Sequence, residues 1–235
     1  MQLVAMGAQD VYLTGNPQIT FFKVVYRRHT NFSKECIKQE FNGSGTSKSC
    51  TLARNGDLVQ EIYLKCKNSA TTSGKDLTDS ISTVEVEIGG QKIDKHYSQW
   101  LDIYNQLFET NHDYRSQMSD NSGTAGNTIY IPLRFWFNRN PGLALPLIAL
   151  QYHEVKINLV TAGTAVTEES LLVNYLYLDT DERRRFAQVS HEYLIEQVQH
   201  TGVESEATIE MSFNHPVKAL FWTGASWTDV KLQLN

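Results

Sequence analysis

Short segments in which apolar and polar residues alternate, separated by clusters of Gly, Asn, Ser and Thr, make up most of this chain. Residues 84–93 are the clearest case, because two alternating runs flank Gly89 and Gly90. Glycine accepts the positive φ that a two-residue hairpin turn needs, so this stretch predicts a β-hairpin. A longer amphipathic helix is predicted only at residues 97–108, where apolar side chains recur at a helical period. The pattern indicates a mainly β protein.

The other elements follow from the same alternation and from turn residues. A short helix is expected at residues 179–185, because acids at its start and Arg183, Arg184 and Arg185 at its end suit the helix dipole. A polar, turn-rich loop is expected at residues 111–127. Further strands are predicted at residues 20–27, 35–41, 49–54, 57–67, 129–137, 155–159, 172–178, 192–200, 207–213 and 217–222, with Val230, Leu232 and Leu234 alternating to the last residue.

Residues 132–157 combine several of these signals. A bulky run of β-forming residues leads to the turn residues 138–142 (Asn-Arg-Asn-Pro-Gly), which are followed by an apolar connector and a second strand. His153 and Glu154 are adjacent on that second predicted strand, so their side chains are expected to point to opposite faces. The stretch indicates architecture rather than catalysis.

Composition narrows the classes of function. The chain has 235 residues, enough for a substantial core, and its formal net charge of −5 comes from acids and bases that are mixed along the sequence. This mixture argues against a nucleic-acid-binding surface. Three cysteines, Cys36, Cys50 and Cys66, have neither zinc-site spacing nor an even number for disulfides, which favours a reducing compartment. We expect neither secretion nor a membrane span, since no signal-like start and no run of about 18 apolar residues occurs.

No catalytic, cofactor-binding or metal-binding residue is predicted, and the chain is not expected to be an enzyme. The seven histidines are scattered singly, and neither a nucleophile elbow nor a phosphate-binding loop occurs. Glu85 and Glu87 lie on one face of a strand, where they are expected to face solvent. Trp136 and Arg134 share a face and leave three interpretations open: a sugar-stacking platform, ordinary packing or a contact between subunits.

Five blocks of this sequence, in this order, resemble the major capsid proteins of nucleocytoplasmic large double-stranded DNA viruses. Their ordered occurrence over most of the chain is more specific than any single block. The blocks are residues 17–32, residues 88–97, Trp100-Leu101, residues 132–157 and residues 214–218.

The resemblance implies the first jelly roll of a double jelly-roll subunit. Residues 1–213 are then expected to form an N-terminal jelly roll with an N-terminal arm, and residues 214–235 to begin a second, incomplete one. Such subunits form homotrimeric capsomers of pseudo-hexagonal outline in an icosahedral capsid. The implied partners are neighbouring capsomers, minor capsid proteins and an internal membrane, without direct nucleic-acid binding. The implied location is the virion, with assembly in the cytoplasm of the infected host cell.

Other readings of the same strands remain open at this point. A minor or penton capsid component with a single jelly roll is the nearest alternative. A carbohydrate-binding jelly roll would bind sugar without forming a shell. An enzyme on a β-sandwich would need titratable groups that converge in a concave pocket.

Overall fold

The computed structural model describes residues 30–68, 81–109, 128–162, 166–224 and 229–233. The elements within these ranges follow in chain order as β1 (Phe32–Glu40), β2 (Ser47–Thr51), β3 (Leu58–Asn68), β4 (Ile81–Ile88), β5 (Gln91–Tyr97), α1 (Ser98–Phe108), β6 (Thr128–Pro132), α2 (Trp136–Arg139), a 3-10 turn (Pro141–Leu143), β7 (Leu145–Pro146), β8 (Val155–Thr161), β9 (Val166–Leu178) and α3 (Thr180–Gln188).

The strands form two antiparallel sheets. One has the order β1-β9-β3-β6, with the two-residue β7 also paired to β3, and the other has the order β2-β8-β4-β5. Distant parts of the chain become neighbours, since Phe32 of β1 pairs with Leu178 of β9. Apart from β7, each sheet has four strands, which is the eight-stranded, two-sheet arrangement of a jelly roll. The predicted all-β jelly-roll sandwich is confirmed.

The hydrophobic core lies between the two sheets. In β8 every second residue from Val155 to Thr161 is buried, as a strand with one covered face requires. From the other sheet, Leu171, Val173 and Tyr175 of β9 are each fully buried. The alternation seen in the sequence at residues 155–159 and 172–178 therefore identifies core-facing positions.

The local predictions with the strongest sequence signals are confirmed. Gly89 and Gly90 join β4 to β5 with φ values of +59° and +84°. Helix α1 begins one residue after the predicted start. Helix α3 begins after Asp179, whose side chain accepts a hydrogen bond from the backbone N–H of Thr180. Arg183 of this helix forms an ion pair with the buried Asp57. The first of the three consecutive arginines therefore has a structural role.

The predicted strand at residues 129–137 is wrong beyond Pro132. Strand β6 ends there, and residues 136–139 form the helical turn α2. Proline has no N–H for a strand ladder, and Phe135, Trp136 and Phe137 are all buried. Consecutive side chains of a strand point to opposite faces, so a strand cannot bury three in a row on one side. A helical turn brings them into the core instead.

The strands predicted at residues 192–200, 207–213 and 217–222 are also wrong. In the described part of the chain after α3 no residue is in a strand. A strand needs backbone partners, and the N–H of Val198 instead donates to the side chain of Asp94. Alternation without a neighbouring strand therefore did not produce a ladder here.

Several predictions lie outside the described residues. They are the strand at residues 20–27, the loop at residues 111–127, the N-terminal arm and Leu234. Within the described ranges, no helix has the length and apolar character needed to cross a membrane.

Candidate docking surface

The titratable side chains that the sequence singled out do not converge on a chemical site. Among the residues that the structure describes, no group of three or more His, Cys, Asp or Glu side chains is placed to hold a metal ion. His153 and Glu154 lie in an exposed turn before β8, so their predicted placement on a strand is wrong. Nothing in their geometry forms an acid–base pair.

Glu85 and Glu87 belong to a polar network on the outer surface of one sheet. Glu85 lies 3.0 Å from Lys92 Nζ and 3.1 Å from Lys95 Nζ, with only 9% of its side chain exposed. Burial alone would raise the pKa of Glu85, but the hydrogen bonds and charges of the two lysines outweigh it and lower the pKa. Glu87 accepts a hydrogen bond from Asn158. Both acids are structural, and Glu85 is more covered than the sequence indicated.

Trp136 is a core side chain. Only 5% of it is exposed, and its ring packs edge-on against Phe137 at 5.1 Å between centroids. A sugar-stacking platform needs an exposed ring face, so of the three open interpretations packing applies to Trp136. Arg134 instead places its guanidinium 5.0 Å from the ring of Tyr104.

The three cysteines are free, and two of them belong to the core. Burial raises the pKa of Cys50 to about 11 and that of Cys66 to about 12, with smaller contributions from nearby glutamates. Thiols with raised pKa values hold little of the reactive thiolate at neutral pH. Both behave as small apolar side chains.

The turn residues of the 132–157 stretch have defined structural roles. Asn138 donates a 2.7 Å hydrogen bond from Nδ2 to the carbonyl of Gln60, where the register of β3 shifts between Val59 and Ile62. Asn140 accepts from the N–H of Gly142 at 2.8 Å and so begins the 3-10 turn. The stretch holds an irregular part of β3 in place, as an architectural segment should.

Helix α1 presents aromatic rings that the core does not cover. Its buried residues are Ser98, Leu101 and Asn105. Trp100, Tyr104 and Phe108 follow one another every four residues, with ring centroids 5.7 Å and 4.7 Å apart. Residues four apart lie on one side of a helix, so these rings form an aromatic stripe beside the core-facing side.

Arg139 completes this stripe. Its guanidinium lies 5.9 Å from the Trp100 ring and 5.6 Å from the Tyr104 ring. Its Nε donates to the carbonyl of Arg134 at 2.8 Å, which fixes the side chain to the neighbouring turn. A cation held over aromatic faces is an arrangement common in recognition surfaces.

A buried polar pair lies on β5 near this helix. The side chains of Asp94 and His96 are both fully buried, with 3.0 Å between Asp94 Oδ2 and His96 Nε2. The His96 ring stacks on Phe135 at 4.4 Å between centroids. Asp94 Oδ1 accepts from the N–H groups of Lys95 at 2.9 Å and Val198 at 3.0 Å. We call Asp94, Trp100, Tyr104, Phe108 and Arg139 the docking surface.

The docking surface was not predicted from the sequence. The aromatic residues of α1 were expected on one apolar helix face, and no role was expected for Asp94. The available signal was that Asp94 and His96 are two residues apart on a predicted strand and therefore share a face. Such spacing alone does not distinguish a buried polar pair from a solvated one.

The residues that follow α3 run across the docking surface. We call residues 189–224 the post-helix segment. Eleven of the sixteen exposed large apolar side chains of the described residues lie after α3. Exposed apolar groups in this density indicate a surface that other protein covers.

Two family models match this chain in succession. The model described as major capsid protein N-terminus matches residues 20–179, and the model described as large eukaryotic DNA virus major capsid protein matches residues 182–232. The first covers both sheets. The second covers the whole post-helix segment.

Curated relatives agree with these matches. The major capsid protein of Pyramimonas orientalis virus is 52% identical over 100% of this chain and 70% of its own length. The major capsid protein of Paramecium bursaria Chlorella virus 1 is 48% identical over 94% of this chain and 59% of its own length. The chain thus spans between half and three quarters of these two relatives.

Solved structures give the same result. A chain in the quasi-atomic model of the PBCV-1 virus capsid has a TM-score of 0.70 and 42% identity, over 84% of this chain and 57% of that chain. The Faustovirus major capsid protein, at 10% identity and a TM-score of 0.51, shares the fold alone. Major capsid proteins are structural proteins and not enzymes. This chain belongs to the family of major capsid proteins of large eukaryotic DNA viruses.

Proposed function

We propose that this chain is part of the major capsid protein that builds the icosahedral shell of a large double-stranded DNA virus. The observation that carries the proposal is the match to the PBCV-1 capsid structure, with a TM-score of 0.70 and 42% identity over 84% of the chain. The function is then shape and self-association, which fits a sandwich whose described residues include no cluster of metal-binding side chains.

We further propose that the subunit forms homotrimers. Two jelly rolls in each of three subunits place six sandwiches around one axis, which accounts for a pseudo-hexagonal outline. Such capsomers would contact neighbouring capsomers, minor capsid proteins and an internal membrane. An obligate interface of this kind buries on the order of 2,000 Å² or more.

Two jelly rolls also account for the organisation of the chain. We propose that residues 1–213 contain the first and that residues 214–235 begin the second. The last strand described, β9, ends at Leu178, before this boundary. The second family model starts at residue 182, so the turn to the second unit can begin as early as α3. The rest of the second unit would supply the strands that the post-helix segment lacks.

The net charge of −5 supports a shell protein without direct contact to the genome. We propose that its location is the virion and that assembly takes place in the cytoplasm of the infected host cell. A carbohydrate-binding role has no support at Trp136, because that ring is buried.

The proposal can be tested on the protein purified from its native source. Light scattering gives the mass of the particle in solution, and negative-stain electron microscopy gives its outline. Trimers with a pseudo-hexagonal outline are expected. Five-fold rings would favour a penton component, and monomers or dimers that never assemble would refute the capsid role and direct attention to glycan binding.

A further inference from the structure

We propose that the docking surface holds the post-helix segment, which leads into the second jelly roll, with Asp94 as the polar anchor of its first part and Phe221 as the apolar contact of its last part. The inference rests on the proposed two-jelly-roll organisation and adds which residues join the two units. It concerns contacts within one subunit and not contacts between subunits.

The polar anchor is a buried carboxylate that receives a backbone N–H from a distant part of the chain. Asp94 Oδ1 accepts from Val198 at 3.0 Å, while Oδ2 contacts His96. A buried carboxylate without donors is costly, so the N–H of Val198 has a stabilising role at this position. Next to it, Gln197 donates from its side chain to the carbonyl of Ile93 on β5.

A chain of charges lies beside the anchor. Arg139 Nη1 is 2.6 Å from Glu196 Oε2, and Glu196 also pairs with Lys218. The hydrogen bond from Lys218 is the largest cause of a lowered pKa for Glu196, and Arg139 lowers it further. Arg139 is fixed to the first jelly roll through the carbonyl of Arg134, so the ion pairs link both units.

The post-helix segment also makes aromatic contacts with α1 and with the end of β5. The ring of Phe221 meets Trp100 edge-on at 5.2 Å and Phe108 at 6.1 Å between centroids. Tyr97, which ends β5, stacks on His200 at 4.6 Å. Aromatic pairs at these separations add to the burial of apolar area.

These contacts come from separate parts of the post-helix segment and converge on one surface. Glu196 and Val198 contact it first, and Phe221 returns to it some twenty residues later. His200 stacks on the neighbouring Tyr97, and Lys218 is linked to the surface through Glu196. Other apolar side chains of the segment, such as Leu194 and Val203, are 89% exposed. They remain available to the further strands of the second unit while the docking surface holds its beginning.

Hydrogen–deuterium exchange of the full chain tests the anchor. In Asp94→Ala the amide of Val198 loses its acceptor, and we expect its exchange to become about tenfold faster or more, the effect of losing a hydrogen bond to a charged group. Asp94→Asn keeps an oxygen acceptor and should retain most of the protection. Glu61→Gln is the matched control, because Glu61 pairs with Lys34 and does not contact the segment.

Phe221→Ala, in the post-helix segment, provides a second test in case Asp94→Ala does not fold. Phe221→Ala leaves the core intact, and we expect faster exchange in residues 193–200 with β4 and β8 unchanged. Rapid exchange of Val198 in the wild-type chain, or unchanged exchange of residues 193–200 in Phe221→Ala, would overturn the inference. If the protein forms trimers but the post-helix segment is not protected from exchange, only this inference is refuted. If the segment is protected from exchange but no trimers form, only the proposed assembly is refuted.

Discussion

Replacing Tyr175 by Phe removes one hydroxyl from a buried network that joins the two sheets. Tyr175 of β9 donates from its hydroxyl to the carbonyl of Ala53 at 2.6 Å and accepts from Gln39 Nε2 of β1. Gln39 Oε1 in turn accepts from the N–H of Ala53 at 3.1 Å and from Cys50 of β2. The phenylalanine ring fills the same space but leaves the Ala53 carbonyl and the Gln39 amide without this partner.

Each buried group left unpaired costs about 1–3 kcal/mol, so we expect the free energy of unfolding to fall by about 3 kcal/mol. For a chain of this size that corresponds to a melting temperature lower by about 6–12 °C. Chemical denaturation and calorimetry measure both quantities. Tyr177→Phe is the matched control on the same strand, because its hydroxyl contacts Glu35 at an exposed position. Equal effects of the two substitutions would refute the reasoning.

The same network predicts the behaviour at alkaline pH. Burial raises the pKa of Tyr175 to about 12 from the ordinary 10.0. A pKa raised in the folded state gives stability that is complete below about pH 10 and is lost as the pH rises towards 12. The wild-type chain should therefore lose stability across this interval more steeply than Tyr175→Phe. Parallel curves from denaturation at a series of pH values would contradict this assignment.

Three further substitutions test the local structure. Gly89→Ala should destabilise the chain by about 1–2 kcal/mol more than Gly90→Ala, because both need positive φ but only a Cβ at Gly89 meets His153, at 2.6 Å; equal denaturation midpoints would contradict this. Asn138→Ala should cost about 1–3 kcal/mol in denaturation experiments, since it leaves a carbonyl of β3 unpaired; an unchanged midpoint would argue against that role. Glu85→Gln should flatten the acid side of the stability curve, because the lowered pKa of Glu85 gives stability that is present above about pH 4.5 and lost as the pH falls below it; an unchanged acid limb would refute the ion pairs.

Local signals allowed the sequence to predict individual elements. Gly89 and Gly90 between two alternating runs are enough to define a hairpin, because every interaction needed lies within ten residues. Helix α1 follows in the same way from its period. The sandwich was implied by the resemblance to capsid proteins, and it agrees with the general rule that strands covered on one face pack against another layer.

Long-range pairing could not be predicted from these signals. Periodicity shows that β1 and β9 are strands, but not that Cys36 lies opposite Asn174. Strand β9 also starts at Val166, six residues before the predicted start, where Thr167 and Glu168 weaken the alternation. At residues 133–137 the alternation was misleading, because tertiary packing of three consecutive aromatic residues prevailed over the local pattern.

The docking surface could not be predicted for the same reason, because it is formed by contacts between distant parts of the chain. Asp94 and Val198 are separated by about one hundred residues, and no local pattern in either segment indicates the other. The resemblance to capsid proteins provided the functional class before the structure did. The structure added what the resemblance lacked, which is the set of residues that hold the post-helix segment.

We propose above all that this fold is a building block of a viral shell. Cryo-electron microscopy of virions from the source of this sequence tests it most directly. We expect shell density made of pseudo-hexagonal capsomers with six sandwiches each, three of which fit the two sheets of this chain, with α1 beside the neighbouring sandwich of the same subunit. A shell whose capsomer density does not accommodate the β1-β9-β3-β6 and β2-β8-β4-β5 sheets would contradict the claim.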